Sequence, residues 1–81
     1  MNRDKAEDLV KEALADVVPD ADLTNLGPGD AFRDTLGMDS LDFLSFVEIL
    51  SERTGIRIDD EDTPCLTTFA GSTRFLLARA E

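Results

Sequence analysis

The sequence contains no histidine, and this absence excludes several common kinds of active site. A Ser-His-Asp triad or a Cys-His pair uses an imidazole as its general base, and many zinc sites use it as a ligand. Tyrosine and tryptophan are absent as well. We therefore expect no catalytic triad and no metal site of the protein's own.

Cysteine and long apolar runs are also scarce. The single cysteine, Cys65, cannot form an internal disulfide, which indicates a reducing compartment. No apolar run reaches the length of a membrane span, and the first five residues lack the apolar stretch of a signal peptide. We expect a cytoplasmic protein without a membrane span. Cys65 lies between Pro64 and Leu66, and we interpret it as a small core residue.

What the sequence does contain is negative charge. Its 81 residues are enough for a single domain over 1–81, and 18 acids against eight bases give a net charge of −10. Such a charge disfavours nucleic acids and anionic membranes as partners. Residues 30–62 hold ten acids and three bases. Individually these acids are typical of a solvated surface, but their clustering indicates a surface that docks basic partners.

Apolar residues recur at helical spacing in an all-α pattern. We predict helices over roughly 3–17, 40–53, 60–65 and 69–80, with a long loop over 19–38 between the first two. The third of these is short. The inner face of the last helix is predicted to consist of Phe69, Ala70, Thr73, Leu76, Leu77 and Ala80.

The helix over 40–53 carries clear start and stop signals. Asp39 is a good N-cap, and Asp42 lies three residues later, in the position of a capping box. Met38 and Phe43 occupy the two positions of a hydrophobic staple. Gly55 suits the position just past the end of the helix.

This helix has two apolar surfaces on a helical wheel. The core stripe consists of Phe43, Phe46, Val47 and Leu50. The opposite, outward face carries Leu41, Leu44, Glu48 and Glu52. Two leucines among acids are typical of a helix that docks into a partner's groove with an apolar floor and a basic rim. The alternative is that the long loop buries both leucines.

Ser40 is the one candidate for chemistry in the chain. It has no general base to activate it as a nucleophile, and a capping role is common for serine at a helix start. Its position would suit an acceptor of a phosphate group, since a helix N-terminus favours negative charge. The carboxylates of Asp39 and Asp42 oppose that phosphate. Electrostatics alone therefore leaves the balance open.

Residues 36–42, Leu-Gly-Met-Asp-Ser-Leu-Asp, resemble the L-G-x-D-S-L signature of acyl carrier proteins. The pattern of that family extends from Phe32 to about Ala80, whereas residues 19–31 do not follow it. The resemblance implies a four-helix bundle with a short third helix. It also implies that a phosphopantetheinyl transferase moves 4′-phosphopantetheine from coenzyme A onto Ser40. Asp39 would assist that transfer by helping to hold magnesium, and the helix over 40–53 would be the recognition helix.

The implied function is that of a non-catalytic carrier. It would shuttle thioester-bound acyl intermediates between enzymes of fatty-acid, polyketide or specialised lipid biosynthesis, with basic docking patches on those enzymes. We expect a monomer. Phe43, Ser45, Glu48 and Ser51 depart from the usual residues of housekeeping fatty-acid carriers, which favours a dedicated carrier. The alternative is an unmodified acidic adaptor that docks basic partners through the same helix.

Overall fold

The computed structural model describes residues 1–80, and helices account for all of its regular structure there. No strand forms among these residues, which have only one isolated bridge, between Ala31 and Thr68. The α-helices are α1 (Arg3–Val17), α2 (Phe32–Thr35), α3 (Ser40–Thr54) and α4 (Phe69–Arg79). Two 3₁₀ helices cover Leu23–Asn25 and Asp60–Leu66. The predicted all-α architecture with four main helices is confirmed, and the two short elements within the long loop are additions to it.

Helix α1 forms because its local signals agree with its apolar spacing. The Asn2 side chain accepts a hydrogen bond from the Lys5 backbone N–H at 2.8 Å, which satisfies one free donor of the first turn. At the other end the Val18 N–H donates to the Leu14 carbonyl at 2.8 Å, just before Pro19, which disfavours helix at the residue ahead of it. The buried stripe of α1 consists of Ala6, Leu9, Val10, Ala13 and Leu14.

Helix α3 packs against α1 through the predicted core stripe. Phe46, Val47 and Leu50 are buried, and Phe43 is half-buried against the same core. The rings of Phe32 and Phe46 meet edge to face, with centroids 5.3 Å apart, an arrangement that the quadrupoles of aromatic rings favour. Helix α1 also contacts α4, so α1 lies between the other two long helices in the packing.

The inner face of α4 was predicted only in part. Thr73 and Leu76 are buried and Phe69 and Leu77 are partly buried, but Ser72 and Phe75 are buried as well. The reason is the 3₁₀ helix Asp60–Leu66, which packs against α4 and adds a second buried side. Ser72 Oγ donates a hydrogen bond to the Leu66 carbonyl at 3.3 Å, which satisfies its polarity inside the core.

Gly71 permits this close packing. The sequence suggests that a glycine weakens α4 slightly, but a Cβ at this position would collide with the carbonyl oxygen of Cys65. It would also lie 2.9 Å from Oγ1 of Thr68, the residue that caps α4. Gly71 is therefore required by the approach of the 3₁₀ helix to the first turn of α4.

The long loop is pinned to the bundle by both side chains and backbone. Phe32 is buried, and Leu23, Leu26 and Leu36 are partly buried against the core. The Phe32 N–H donates to the Thr67 carbonyl at 2.9 Å. The Ala70 N–H donates to the Pro28 carbonyl, also at 2.9 Å. The loop therefore has a fixed course over the start of α4.

Asp22 caps the 3₁₀ helix Leu23–Asn25 within this loop. Its carboxylate accepts hydrogen bonds from the side-chain hydroxyl and the backbone N–H of Thr24. These two bonds, the hydroxyl first, lower the pKa of Asp22 below its ordinary value, because they favour the charged carboxylate.

Cys65 is exposed, so its interpretation as a core residue is wrong. It lies in the 3₁₀ helix Asp60–Leu66, in which three residues make one turn. Leu66 occupies the side that faces the core and is buried. Its neighbour Cys65 therefore points to another side of the turn. Among residues 1–80, no helix is both long enough and apolar enough to cross a membrane.

Candidate functional site

Ser40 is the first residue of α3 and is exposed to solvent. The turn in front of it is closed by a capping box. Asp39 Oδ1 accepts a hydrogen bond from the Asp42 N–H at 2.8 Å, and Asp42 Oδ2 accepts one from the Asp39 N–H at 3.5 Å. The predicted cap is confirmed. It fixes the backbone around Ser40 while leaving the serine hydroxyl accessible.

The chain reaches Ser40 through two anchors and a turn. Phe32 and Met38 are both buried, one at each end of the segment that leads into α3. Between them, the Leu36 N–H donates to the Phe32 carbonyl at 2.9 Å and closes the single turn of α2. Gly37 then adopts a φ of 67°, a left-handed conformation that glycine accepts without strain. This turn brings the exposed side of α2 beside the start of α3.

Arg33 is the residue that this turn brings to Ser40. Its Nη2 lies 3.4 Å from the Ser40 Oγ, to which it donates a long hydrogen bond, and both side chains are exposed. No motif or period in the sequence points to Arg33 as a site residue. Seven residues separate the pair, and no helical or strand period relates them. Only a signal for the turn, such as glycine at position 37, could have suggested that they meet.

The outward face of α3 is present as the helical wheel describes it. Leu41 is 74% exposed and Leu44 is 53% exposed, and Glu48 and Glu52 are exposed beyond them. The alternative that the long loop buries the two leucines is wrong, because the loop lies over the start of α4 instead. These four residues, Leu41, Leu44, Glu48 and Glu52, form what we call the outward face. Its role in binding partners stays a prediction.

The carboxylates near Ser40 do not form a metal centre by themselves. Within residues 1–80, no three side chains from His, Cys, Asp and Glu are grouped so that they could hold a metal ion. Asp39 uses one carboxylate oxygen in the cap, and no hydrogen bond from residues 1–80 engages its other oxygen. A carboxylate of this kind can give one ligand to magnesium when phosphates and a second protein supply the others. Asp39 therefore fits the assisting role that the resemblance implies.

Positive charge is sparse around the site. The ion pairs of the described residues engage Arg3, Arg53, Arg57 and Arg79. One of these, Arg53, joins the end of α3 to Glu12 and Asp16 of α1, far along the helix from Ser40. Arg33 is thus the cation that the structure places next to the Ser40 hydroxyl.

Comparisons of the sequence with known proteins identify relatives of the chain. The family model described as the phosphopantetheine attachment site matches residues 7–65, a range that includes Ser40 and the outward face. An acyl carrier protein of Streptomyces coelicolor (strain ATCC BAA-471 / A3(2) / M145) is 34% identical to the chain over 61 residues. That match covers 75% of this chain and 66% of the length of the relative.

Proposed function

We infer the function of this chain from its family. The chain belongs to the phosphopantetheine attachment-site family, whose members bear 4′-phosphopantetheine. We propose that it is an acyl carrier, that Ser40 bears this arm, and that the chain presents thioester-bound acyl groups to a series of enzymes. The observation that carries the proposal is the exposed Ser40 hydroxyl at the first turn of α3, inside the matched region.

The arm fits the chemistry of this position. An acceptor serine needs an accessible hydroxyl, and Ser40 is exposed. The first turn of α3 favours an attached anion through its dipole. The Arg33 guanidinium nearby adds a positive charge. The arm supplies a terminal thiol, on which an acyl group is held as a thioester.

Loading of the arm is a substitution at phosphorus. The Ser40 Oγ attacks the phosphorus that joins the arm to the nucleotide part of coenzyme A. The Oγ–P bond forms as the P–O bond of the diphosphate breaks, and adenosine 3′,5′-bisphosphate leaves. The hydroxyl proton passes to a base of the transferase, since the chain has no histidine. Asp39 would give one ligand to the magnesium ion that the transferase uses, through the carboxylate oxygen that the cap leaves free.

The outward face of α3 gives the partners a surface to dock on. Exposed leucines beside exposed glutamates complement a groove with an apolar floor and a basic rim. We propose that the transferase and the acyl-processing enzymes bind here, and that the chain acts as a monomer in the cytoplasm. A tethered cargo then reaches each active site at a raised effective concentration, which is why a carrier needs no catalytic residues of its own.

The cargo belongs to fatty-acid, polyketide or specialised lipid biosynthesis. The departures at Phe43, Ser45, Glu48 and Ser51 support a dedicated carrier, because they change the charge pattern of the docking helix. Phe43 is half-buried against Phe46, with ring centroids 6.3 Å apart, so this departure also alters the packing of α3.

Intact mass spectrometry tests the modification. The protein is incubated with coenzyme A, magnesium and a broad-specificity phosphopantetheinyl transferase, and we expect a gain of about 340 Da, the mass of the arm as a covalent modification. The Ser40→Ala variant should show no gain. Ser45→Ala is the matched control for the site of attachment, because Ser45 is another exposed serine of α3, and this variant should gain the same mass once loading is complete.

A different class of function predicts different results. An unmodified acidic adaptor would use the same outward face but would gain no mass. It would also keep its binding in Ser40→Ala. Absence of the mass gain on a folded wild-type protein would therefore overturn the carrier proposal in favour of the adaptor.

A further inference from the structure

We propose that Arg33 is a positioning residue that holds the phosphate of the arm on Ser40. The inference rests on the proposed function. It begins from the contact between Arg33 Nη2 and Ser40 Oγ at 3.4 Å. A phosphodiester on Ser40 has its phosphorus bonded to Oγ and its two free oxygens one bond further out, within reach of the guanidinium that already contacts Oγ.

The guanidinium is available for such a contact. No ion pair within residues 1–80 involves Arg33, although four other arginines are paired. Its contact with Ser40 uses one nitrogen at a long distance, and a guanidinium has five N–H donors in a planar fork. That fork matches two oxygens of a phosphate better than it matches one hydroxyl.

The negative charges around Ser40 make a nearby cation favourable for binding a phosphate. Asp39 and Asp42 flank Ser40 and oppose an attached phosphate by like-charge repulsion. Both carboxylates are turned toward backbone N–H groups by the capping box, and neither pairs with Arg33 in the described part of the chain. A cation beside the Ser40 hydroxyl offsets the added negative charge. With Arg33 included, the electrostatic balance at Ser40, which the sequence leaves open, favours an attached phosphate.

The backbone presents Arg33 in a fixed place. Phe32, its neighbour, is buried in the core and donates its N–H to the Thr67 carbonyl at 2.9 Å. The Leu36 N–H closes the turn of α2 on the other side. Holding a phosphate therefore requires ordering of the Arg33 side chain and little movement of the loop. The Arg33 side chain also lines an open cleft with Met38 and Thr67. If Arg33 holds the phosphate, the arm leaves the protein surface beside this cleft.

The test uses the loaded protein and a matched control. The variants are Arg33→Ala, Arg33→Lys and Arg74→Ala; Arg74 is an exposed arginine of α4 that also has no ion pair within the described residues. Removing either arginine changes the net charge equally. Intact mass first establishes loading, and far-UV circular dichroism establishes folding. The readouts are then the ³¹P NMR signal of the phosphodiester and the Nε–H signal of Arg33.

We expect attachment of the arm to move the Arg33 Nε–H signal in the wild type. The ³¹P signal should differ between wild type and Arg33→Ala, with Arg33→Lys between them, since lysine keeps the charge but loses the fork. Added salt should shrink the difference because both groups are exposed. The rate of loading should fall about two- to fivefold in Arg33→Ala, the range for an exposed charge pair. Arg74→Ala should match the wild type in all of these.

Three results would overturn the inference while the carrier function stands. The ³¹P signal could be the same in wild type and Arg33→Ala after full loading. Arg74→Ala could shift it as much as Arg33→Ala, which would show a general effect of net charge. Loading could slow in Arg33→Ala without a change in the ³¹P signal, which would place Arg33 in contact with the transferase. A wild type that gains no mass would instead overturn the proposed function, and this inference with it.

Discussion

Leu44 and Leu50 lie on the same helix, α3, but one is exposed to solvent and the other is buried. Leu44 is 53% exposed, whereas Leu50 is fully buried. Leu50 follows Leu44 by six positions, which places the two side chains about 120° apart around the axis of α3. Helix α1 packs on the side of Leu50, and no described element covers the side of Leu44. Whether an apolar residue of α3 is buried therefore depends on which other element packs against its side of the helix. A leucine left uncovered on an acidic face is then available to a partner.

The largest expected effect is the difference in the free energy of unfolding between variants of the two leucines. Leu50→Ala should lower the free energy of unfolding by about 2–5 kcal/mol, because it removes buried methyl groups and leaves a cavity. Leu44→Ala should change it by about 0.5 kcal/mol or less, as is usual for surface substitutions. Urea denaturation followed by circular dichroism measures both. Similar losses in the two variants would contradict the assignment of the two faces.

The next largest effect concerns docking, for which Leu44 should matter more than Leu50. Leu44→Ala should lower kcat/KM for loading by the transferase about fivefold or more, the effect expected of an apolar anchor at the centre of an interface. Leu50→Ala, measured where it is still folded, should be loaded at close to the wild-type rate. If Leu44→Ala were loaded as well as the wild type, the outward face would not be the surface that the transferase uses.

A smaller effect concerns the acids on the outward face. We expect the melting temperature to rise with added salt or magnesium, because a net charge of −10 on a small protein is self-repulsive and salt screens it. The double variant Glu48→Gln and Glu52→Gln should show a weaker dependence. Thermal unfolding at low and at moderate ionic strength measures this. A flat response in the wild type would mean that the acids are too far apart to repel each other appreciably.

The smallest expected effect lies in the loop, away from both faces of α3. Hydrogen bonds from Thr24 lower the pKa of Asp22, so Thr24→Val should raise that pKa toward its ordinary value. A carboxyl whose pKa is lower in the folded state stabilises the fold above its unfolded pKa, and this is lost as the pH falls through the folded value. An NMR titration of the Asp22 carboxyl group measures the shift. An unchanged pKa in the variant would assign the effect to a different cause.

Most of the helices could be predicted because their signals are local. The N-cap Asp39, the capping-box partner Asp42 and the terminal Gly55 all lie at the ends of α3, and the structure shows each in its expected role. Asn2 was not singled out in the sequence, yet it caps α1 in the same way. Such contacts join residues two to four apart, so the sequence contains them directly.

The buried side of α4 and the exposure of Cys65 could not be predicted in the same way. Both depend on how the 3₁₀ helix Asp60–Leu66 packs against α4. Apolar spacing assigns one inner face to a helix, but α4 is covered on two sides. Ser72 is polar and gave no sign of burial, and its hydrogen bond to the Leu66 carbonyl became visible only in the fold.

The four main helices, the acidic character and the Asp-Ser-Leu signature at residues 39–41 can be read from the sequence alone. These follow from composition and from contacts within one or two helical turns. Only the tertiary structure decided that Leu41 and Leu44 stay uncovered and that Arg33 reaches Ser40. Those outcomes depend on where the long loop lies and how it turns at Gly37. The physical reason is that packing between elements distant in sequence, which no local period encodes, sets the course of that loop.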